Sequence, residues 1–182
     1  MGTLTLIKAD DFERMAPLLG PCELVKGEIV QMAPSGMGHS EVTTNICWLL
    51  LTHVKRAKSG RVLTNEAGIV VAQDPDTVRG ADVLYLSYQR LAKAEKWKGF
   101  LRHPPELVVE VFADDDSWQK METKIAEYHA IGVDMVWVAE PKTQSVRLYP
   151  KGGEPYVLHS NATIEDKALP GFRCSVSEFF ED

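Results

Sequence analysis

The sequence predicts a mixed α/β fold of the α+β kind, with one central sheet, a long helix before it and a second helix crossing over it. Three observations carry this. Between His39 and about Lys58, apolar residues recur at Val42, Ile46, Leu49, Leu50 and Val54, which is helical spacing. Leu107-Val-Val-Glu-Val-Phe112 is apolar on both alternating faces, the pattern of a strand covered on each side. A second helical stretch, from Asp116 to Ile131, separates that strand from another, Met135-Val-Trp-Val-Ala139. Strand, helix, strand is the succession in which a helix packs across a sheet.

The remaining elements follow in order. Asp10 reads as the N-cap of a short helix through Asp11-Phe-Glu-Arg-Met15. Cys22-Glu-Leu-Val25 and Glu28-Ile-Val-Gln-Met32 flank Lys26-Gly27 as a hairpin. Ala33-Pro-Ser-Gly-Met-Gly38 is a loop by its Pro and Gly content. Gly60 is expected to stop the long helix. Arg61-Val-Leu-Thr64 and Ala67-Gly-Ile-Val-Val-Ala72 read as two strands, Gln73-Asp-Pro-Asp76 as a turn, and Ala81-Asp-Val-Leu-Tyr-Leu86 as a strand that Asp82 opens. The polar, Lys-rich stretch from Gln89 to His103 reads as a short helix and loop, and Gly132 ends the crossing helix. Val146-Arg-Leu-Tyr149 and Tyr156-Val-Leu-His159 flank Lys151-Gly-Gly153 as a second hairpin, and a short helix from Ser175 to Phe180 closes the chain.

A chain of 182 residues suits one domain over 1–182, and 45% hydrophobic with 25% charged residues is ordinary for a globular protein. No basic segment followed by an apolar run opens the sequence, and no apolar stretch approaches the length of a membrane span, so the expected location is the cytoplasm, away from membranes. Cys22, Cys47 and Cys174 are odd in number and make no Cys-x-x-Cys pair, which argues against a disulfide framework and a thiolate zinc site. A formal net charge of −6 counts against a non-specific nucleic-acid binder, though a carboxylate-lined site that later holds a cation contributes to such a charge.

Three charges fall where the pattern calls for apolar residues. A buried charge costs several kcal/mol unless it is paired or bound to a metal. Glu110 shares a strand face with Val108 and Phe112. Asp82 sits with Leu84 and Leu86 by the same alternation. On the second helix, Met121, Ile125, Tyr128 and Ile131 mark the face toward the sheet, and Lys124 falls inside that stripe. An ammonium there wants an anion, and Glu110, on the strand leading directly into the helix, is the natural one.

These residues lie within an ordered series: Cys22 to Pro34, His39, Arg79-Gly-Ala-Asp-Val83, Pro104 to Phe112, Lys124-Ile-Ala-Glu-Tyr128, Gly132-Val133 and Val136-Trp-Val-Ala-Glu-Pro141. The series, spanning roughly residues 10 to 180, resembles the Uma-two family of restriction-endonuclease-like proteins within the PD-(D/E)xK nuclease superfamily. The resemblance implies a restriction-endonuclease-like fold, with Asp82 as the first acidic metal ligand and Glu110 as the second. Superfamily nucleases place a lysine two residues after the second acid, where this sequence has Phe112; the family resembled carries it on the next helix, where Lys124 stands. Ala81 stands where a proline is expected. Glu28 is implied as an accessory ligand, His39 as a contact to water or phosphate, and Glu23 as support for the hairpin.

The implied chemistry is phosphodiester hydrolysis with magnesium or manganese, held by Asp82, Glu110 and a backbone carbonyl, for which Val111 is best placed. The implied partners are nucleic acid, DNA in particular, and a second copy of the chain. The competing expectation is a binding or assembly module that keeps the fold without catalysis. No His-Glu-x-x-His occurs, His53, His103, His129 and His159 are scattered, no Gly-x-Ser-x-Gly elbow is present, and Pro34-Ser-Gly-Met-Gly38 lacks the ending of a phosphate loop.

Overall fold

The computed structural model describes residues 6–95, 98–113 and 116–181. In chain order the elements are α1 (Ala9–Leu19), β1 (Cys22–Val25), β2 (Glu28–Gln31), α2 (Met37–Ala57), β3 (Gly60–Ala72), β4 (Thr77–Ser87), β5 (Leu107–Val111), α3 (Trp118–Ile131), β6 (Met135–Glu140), β7 (Ser145–Pro150), β8 (Tyr156–His159), β9 (Thr163–Glu165) and β10 (Arg173–Ser175), followed by a 3-10 turn over Val176–Phe179. Eight strands form one mixed sheet in the order β2-β1-β4-β5-β6-β7-β8, with β3 on the other edge of β4. The α3 crossover makes β5 and β6 parallel, and the other pairs are antiparallel. Strands β9 and β10 form a separate pair that the sequence pattern did not reveal.

Two apolar layers cover the sheet. On one face Val42, Ile46, Leu50 and Val54 of α2 pack with Val83, Tyr85, Val109 and Trp137. On the other, Met121, Ile125 and Tyr128 of α3 pack with Leu84, Val108 and Val136. Every residue of β4 and β5 is buried, as expected for strands covered on both sides.

The pairing of β4 opens a gap in the sheet. Strand β3 runs along one edge of β4 for its length. The other edge is shared: β1 pairs with it at Val78, and β5 pairs with it from Val83 to Tyr85. The sheet therefore forks, and residues 79–82 of β4 lie between the two neighbours with no strand partner on that side among the described residues. A buried backbone group must still be satisfied. Here side chains do it: Gly80 N–H donates to Glu23 Oε1 at 3.0 Å, and the Gly80 carbonyl accepts from Lys124 Nζ at 3.2 Å.

Several local expectations change. The α1 N-cap is Lys8, and Asp10 lies in the first turn. The capping acceptor comes from elsewhere in the chain, as Asp76 Oδ2 takes the Ala9 N–H at 2.8 Å. Lys58, in the left-handed conformation, ends α2 with its N–H on the Val54 carbonyl. Gly60 instead starts β3, where a Cβ would stand 2.3 Å from the Leu86 carbonyl oxygen. The two strands expected over 61–72 are one strand with a bulge at Asn65 and Glu66, both at positive φ (66° and 55°). Asp82 lies in the middle of β4 and does not open it. The helix expected within 89–103 is not formed among the described residues; Arg61 donates to the carbonyls of Leu91 and Lys93, and Leu101 bridges to β3. Lys96 and Trp97 of that stretch lie outside the described residues. Among the described residues no helix is long and apolar enough to cross a membrane.

Candidate active site

At the fork lies a cleft of about 510 Å³, between the β2–α2 connection, the unpaired edge of β4, the end of β5 and the first turns of α3. Asp82, Glu110, Lys124 and His39 all line it, together with the Val111 backbone. Asp82 and Glu110 are 6% and 4% exposed.

Each side chain arrives there for a local reason. Val111 lies beyond the last residue of β5 in register with β4, so its N–H finds no strand carbonyl and goes to Asp82 Oδ2 at 2.7 Å. The third residue of α2 brings His39 Nε2 to 3.2 Å from the same oxygen. Glu110 points to the α3 side. Its Oε2 lies 2.9 Å from Lys124 Nζ and its Oε1 accepts from the Tyr128 hydroxyl at 2.7 Å. Lys124 and Tyr128 are one turn apart on α3, so a single helix face supplies both donors. Phe112, where the superfamily resemblance would place a lysine, stacks on Trp118 at 4.3 Å, and Arg147 also lies over that indole, 4.8 Å from its centroid. The position is occupied by the packing that docks the start of α3, and the amine reaches Glu110 from within the helix.

A second layer of charge supports the first. Arg79 donates to Glu23 Oε2 at 2.8 Å and grips Glu127 at 2.6 and 3.2 Å. Glu23 Oε1 lies 3.4 Å from Lys124 Nζ. Glu66 enters from the β3 bulge opposite Asp82, and its carboxylate crosses Gly80 so closely that a Cβ on that glycine would be 2.5 Å from Oε2.

The electrostatics follow from burial and crowding. Burial pushes the Glu110 carboxyl up to about 8, the Asp82 charge adds to the rise, and Lys124 and Tyr128 pull against it. Burial works against the Lys124 ammonium, yet the Glu110 and Glu23 carboxylates hold its pKa above the ordinary lysine value. Lys124 is therefore a cation at neutral pH, a donor of protons in hydrogen bonds and not an acceptor. Glu66 is open to solvent as a residue while its carboxyl faces the cleft; desolvation there and the Asp82 charge bring it up to about 7. Glu23 is shifted down: burial opposes its charge, and Lys124 and Arg79 outweigh that opposition. The hydrogen bond to Asp82 raises His39 against the opposing effect of burial.

Among the described residues lining the cleft the anionic groups are carboxylates, with no thiolate and a single imidazole, His39, a set that suits magnesium or manganese better than zinc. Five carboxylates and three lysine or arginine side chains line the cleft among the described residues, so once Glu110 and Glu66 have lost their protons its charge also favours a cation. Among the described residues, no group of three or more His, Cys, Asp or Glu side chains is arranged to hold a metal ion.

The sequence reading named Asp82, Glu110, Val111, Lys124 and His39, and the fold brings these together. Glu28 stays apart. Its pairing with Val25 puts it on the hairpin face that carries Glu23, but at the turn, where it is exposed and outside the cleft lining. Glu23, expected only to support the hairpin, is buried beside Lys124. A charge between Cys22 and Leu24, both at least half-buried, was the available signal. Arg79, Glu127 and Tyr128 stood within the quoted motifs without a role. Glu66 gave no sign, because the bulge that aims it breaks the strand alternation.

Residues 9–177 match the Uma2 family, described as "Putative restriction endonuclease". No curated protein matches the sequence. Among solved structures, a protein from Anabaena variabilis ATCC 29413, titled "a putative nuclease belonging to DUF820", superposes with a TM-score of 0.80 at 19% identity, covering 96% of this chain and 97% of that one. At that identity the likeness establishes the shared fold.

Proposed function

The chain belongs to the Uma2 family, and from that premise we propose that it is a metal-dependent endonuclease that hydrolyses phosphodiester bonds of nucleic acid in the cleft at the fork of the sheet. The family's description supports a nuclease-like function. The observation that carries the finer reading is the convergence of Asp82, Glu110 and Lys124, with His39, from four separate elements onto one cleft.

Asp82, Glu110 and the Val111 carbonyl would hold magnesium or manganese. When bound, such a cation supplies Lewis-acid polarisation of a phosphoryl oxygen and lowers the pKa of water. The chain's own residues do the rest. Lys124, held protonated between two carboxylates, offers positive charge to the phosphate as negative charge develops on it. His39, with Nε2 on Asp82 and Nδ1 facing Thr43 Oγ1 at 3.5 Å, would offer the positive charge of its protonated ring to phosphate. Tyr128 and Lys124 hold Glu110 in one orientation, so that little reorganisation is needed. DNA is the proposed substrate, and cutting both strands of a duplex would engage two copies of the chain.

Incubation of supercoiled plasmid with the protein and manganese or magnesium should give nicked and linear DNA, and EDTA should stop the reaction. Asp82→Ala should lower the rate by about a thousandfold or more while the fold is retained, since relief of crowding with Glu66 and Glu110 offsets the acceptor that the Val111 N–H loses. Absence of cleavage of duplex DNA, single-stranded DNA and RNA by folded protein would overturn the proposal. One observation favours a second reading, a non-catalytic binding module: both Glu110 oxygens are already hydrogen-bonded within the chain. Calorimetric titration with manganese separates the two, because the module need not bind the ion.

A further inference from the structure

We propose that Glu23 is the positioning residue of Lys124, and that Arg79 and Glu127 complete a closed circuit that locks Glu23 in that role. The proposal rests on the reading that Lys124 works in the cleft, and goes beyond it by assigning what holds it there.

The circuit starts and ends on α3. Lys124 Nζ lies 3.4 Å from Glu23 Oε1 on β1. The other oxygen of Glu23 takes Arg79 NH1 at 2.8 Å from β4. Arg79 turns its Nε and NH2 back to Glu127, one turn along α3 from Lys124, at 2.6 and 3.2 Å. Glu23 is further pinned by the Gly80 N–H at 3.0 Å. Every link crosses the open edge of β4 where the strands part, so these side chains tie together what backbone pairing leaves apart. Glu23 and Arg79 are 6% and 8% exposed, and a buried ion pair is retained only at a considerable desolvation cost. Covering the cleft wall with apolar residues would be the simpler way to stabilise it.

The ammonium of Lys124 has three N–H groups. Two are given to Glu110 Oε2 at 2.9 Å and the Gly80 carbonyl at 3.2 Å. Glu23 faces the ammonium at ion-pair distance without a direct hydrogen bond. It therefore supplies countercharge while the third N–H stays available to an anion in the cleft. Once Glu110 shares its charge with a cation, Glu23 becomes the principal countercharge of Lys124. A neutral residue at position 23 would leave the ammonium drawn toward Glu110 alone.

The test uses Glu23→Gln in the full chain, with the shape retained and the charge removed. Plasmid cleavage should lose about tenfold to a hundredfold in kcat with KM within about twofold, the signature of a displaced group and not of lost substrate binding. In metal-free protein the Lys124 side-chain ammonium resonance, assigned by its loss in Lys124→Met, should shift and exchange faster with water. Arg79→Gln should reproduce both effects. If Glu23→Gln fails to fold, Glu127→Gln, which loosens Arg79 without touching Lys124, carries the same two readouts. An unchanged kcat or an unchanged ammonium resonance in the folded variant overturns the proposal. If the unmodified protein cleaves nothing, the nuclease reading fails by itself, and the resonance alone decides whether Glu23 holds Lys124.

Discussion

The two helices that flank the sheet bury their inner faces in opposite ways. Helix α2 presents Val42, Ile46, Leu50 and Val54 at four-residue intervals, all 5% exposed or less, and contributes to the cleft only from its first turn, through His39. Helix α3 interleaves Met121, Ile125 and Tyr128 with Lys124 and Glu127, whose charges reach across to β1, β4 and β5. The first helix uses its whole face for apolar burial. The second gives up part of that burial to hold charges in a fixed array. The comparison teaches that one sheet can be stabilised from one side and equipped from the other, and that the fork in β4 pairing lies where the equipped side needs room.

The comparison breaks if substitutions on the two helices behave alike. The largest stability effect should come from α2: Ile46→Ala, fully buried, should cost about 4 kcal/mol in denaturant unfolding, with kcat of the remaining folded protein unchanged. On α3 the order reverses. Lys124→Met should lower cleavage by about a hundredfold or more, yet cost only about 1–3 kcal/mol at neutral pH, because Glu110, raised to about 8, is held there as the neutral acid and leaves no unpaired charge buried. Adding Glu110→Gln to Lys124→Met should recover that stability with no recovery of cleavage, since a buried pair replaced as a whole is often neutral or stabilising. A Lys124→Met loss as large as that of Ile46→Ala would remove the distinction between the helices.

The gentlest effect is a slope with pH in metal-free protein. Glu110 and Glu66 have folded pKa values of about 8 and about 7, above the ordinary 4.5, and His39 is raised above 6.5. Each binds its proton more tightly when folded, so its favourable contribution is complete below the unfolded value and is lost as pH rises through the folded one. Stability should therefore decline from about pH 5 to about pH 8, when measured by denaturant unfolding. Glu23, shifted down, acts the other way and only at acid pH, where its contribution is lost as the pH falls. Glu110→Gln should flatten the decline. Manganese should bind better toward the upper end of that range, where the carboxylates are free of protons. A flat profile in the unmodified protein would show that the cleft does not crowd its acids.

Much of the site was legible before the fold was known. Glu110 and Lys124 stood out because each interrupts an apolar face whose period is regular, two residues for β5 and 3.6 for α3. Asp82 stood out in the same way, although its place within the strand did not: β4 extends five residues before it. Glu66 was hidden by the bulge, which sets two residues of β3 against one of β4 and cancels the alternation by which an inward side chain is recognised. Glu28 and Glu23 share one hairpin face, so the pattern could not rank them. Their difference is distance from the turn, and it is the docking of β1 on β4 at Leu24 and Val78 that buries one acid and leaves the other in water.

The amino-acid order determined the two covering helices, the buried central strands and the interrupted faces, because periodicity and turn residues act over a few neighbours. The tertiary structure decided the split edge of β4, the entry of Glu66 over Gly80, and the circuit from Lys124 through Glu23 and Arg79 to Glu127. Those contacts join residues up to a hundred positions apart, and no local pattern encodes which buried charge will meet which.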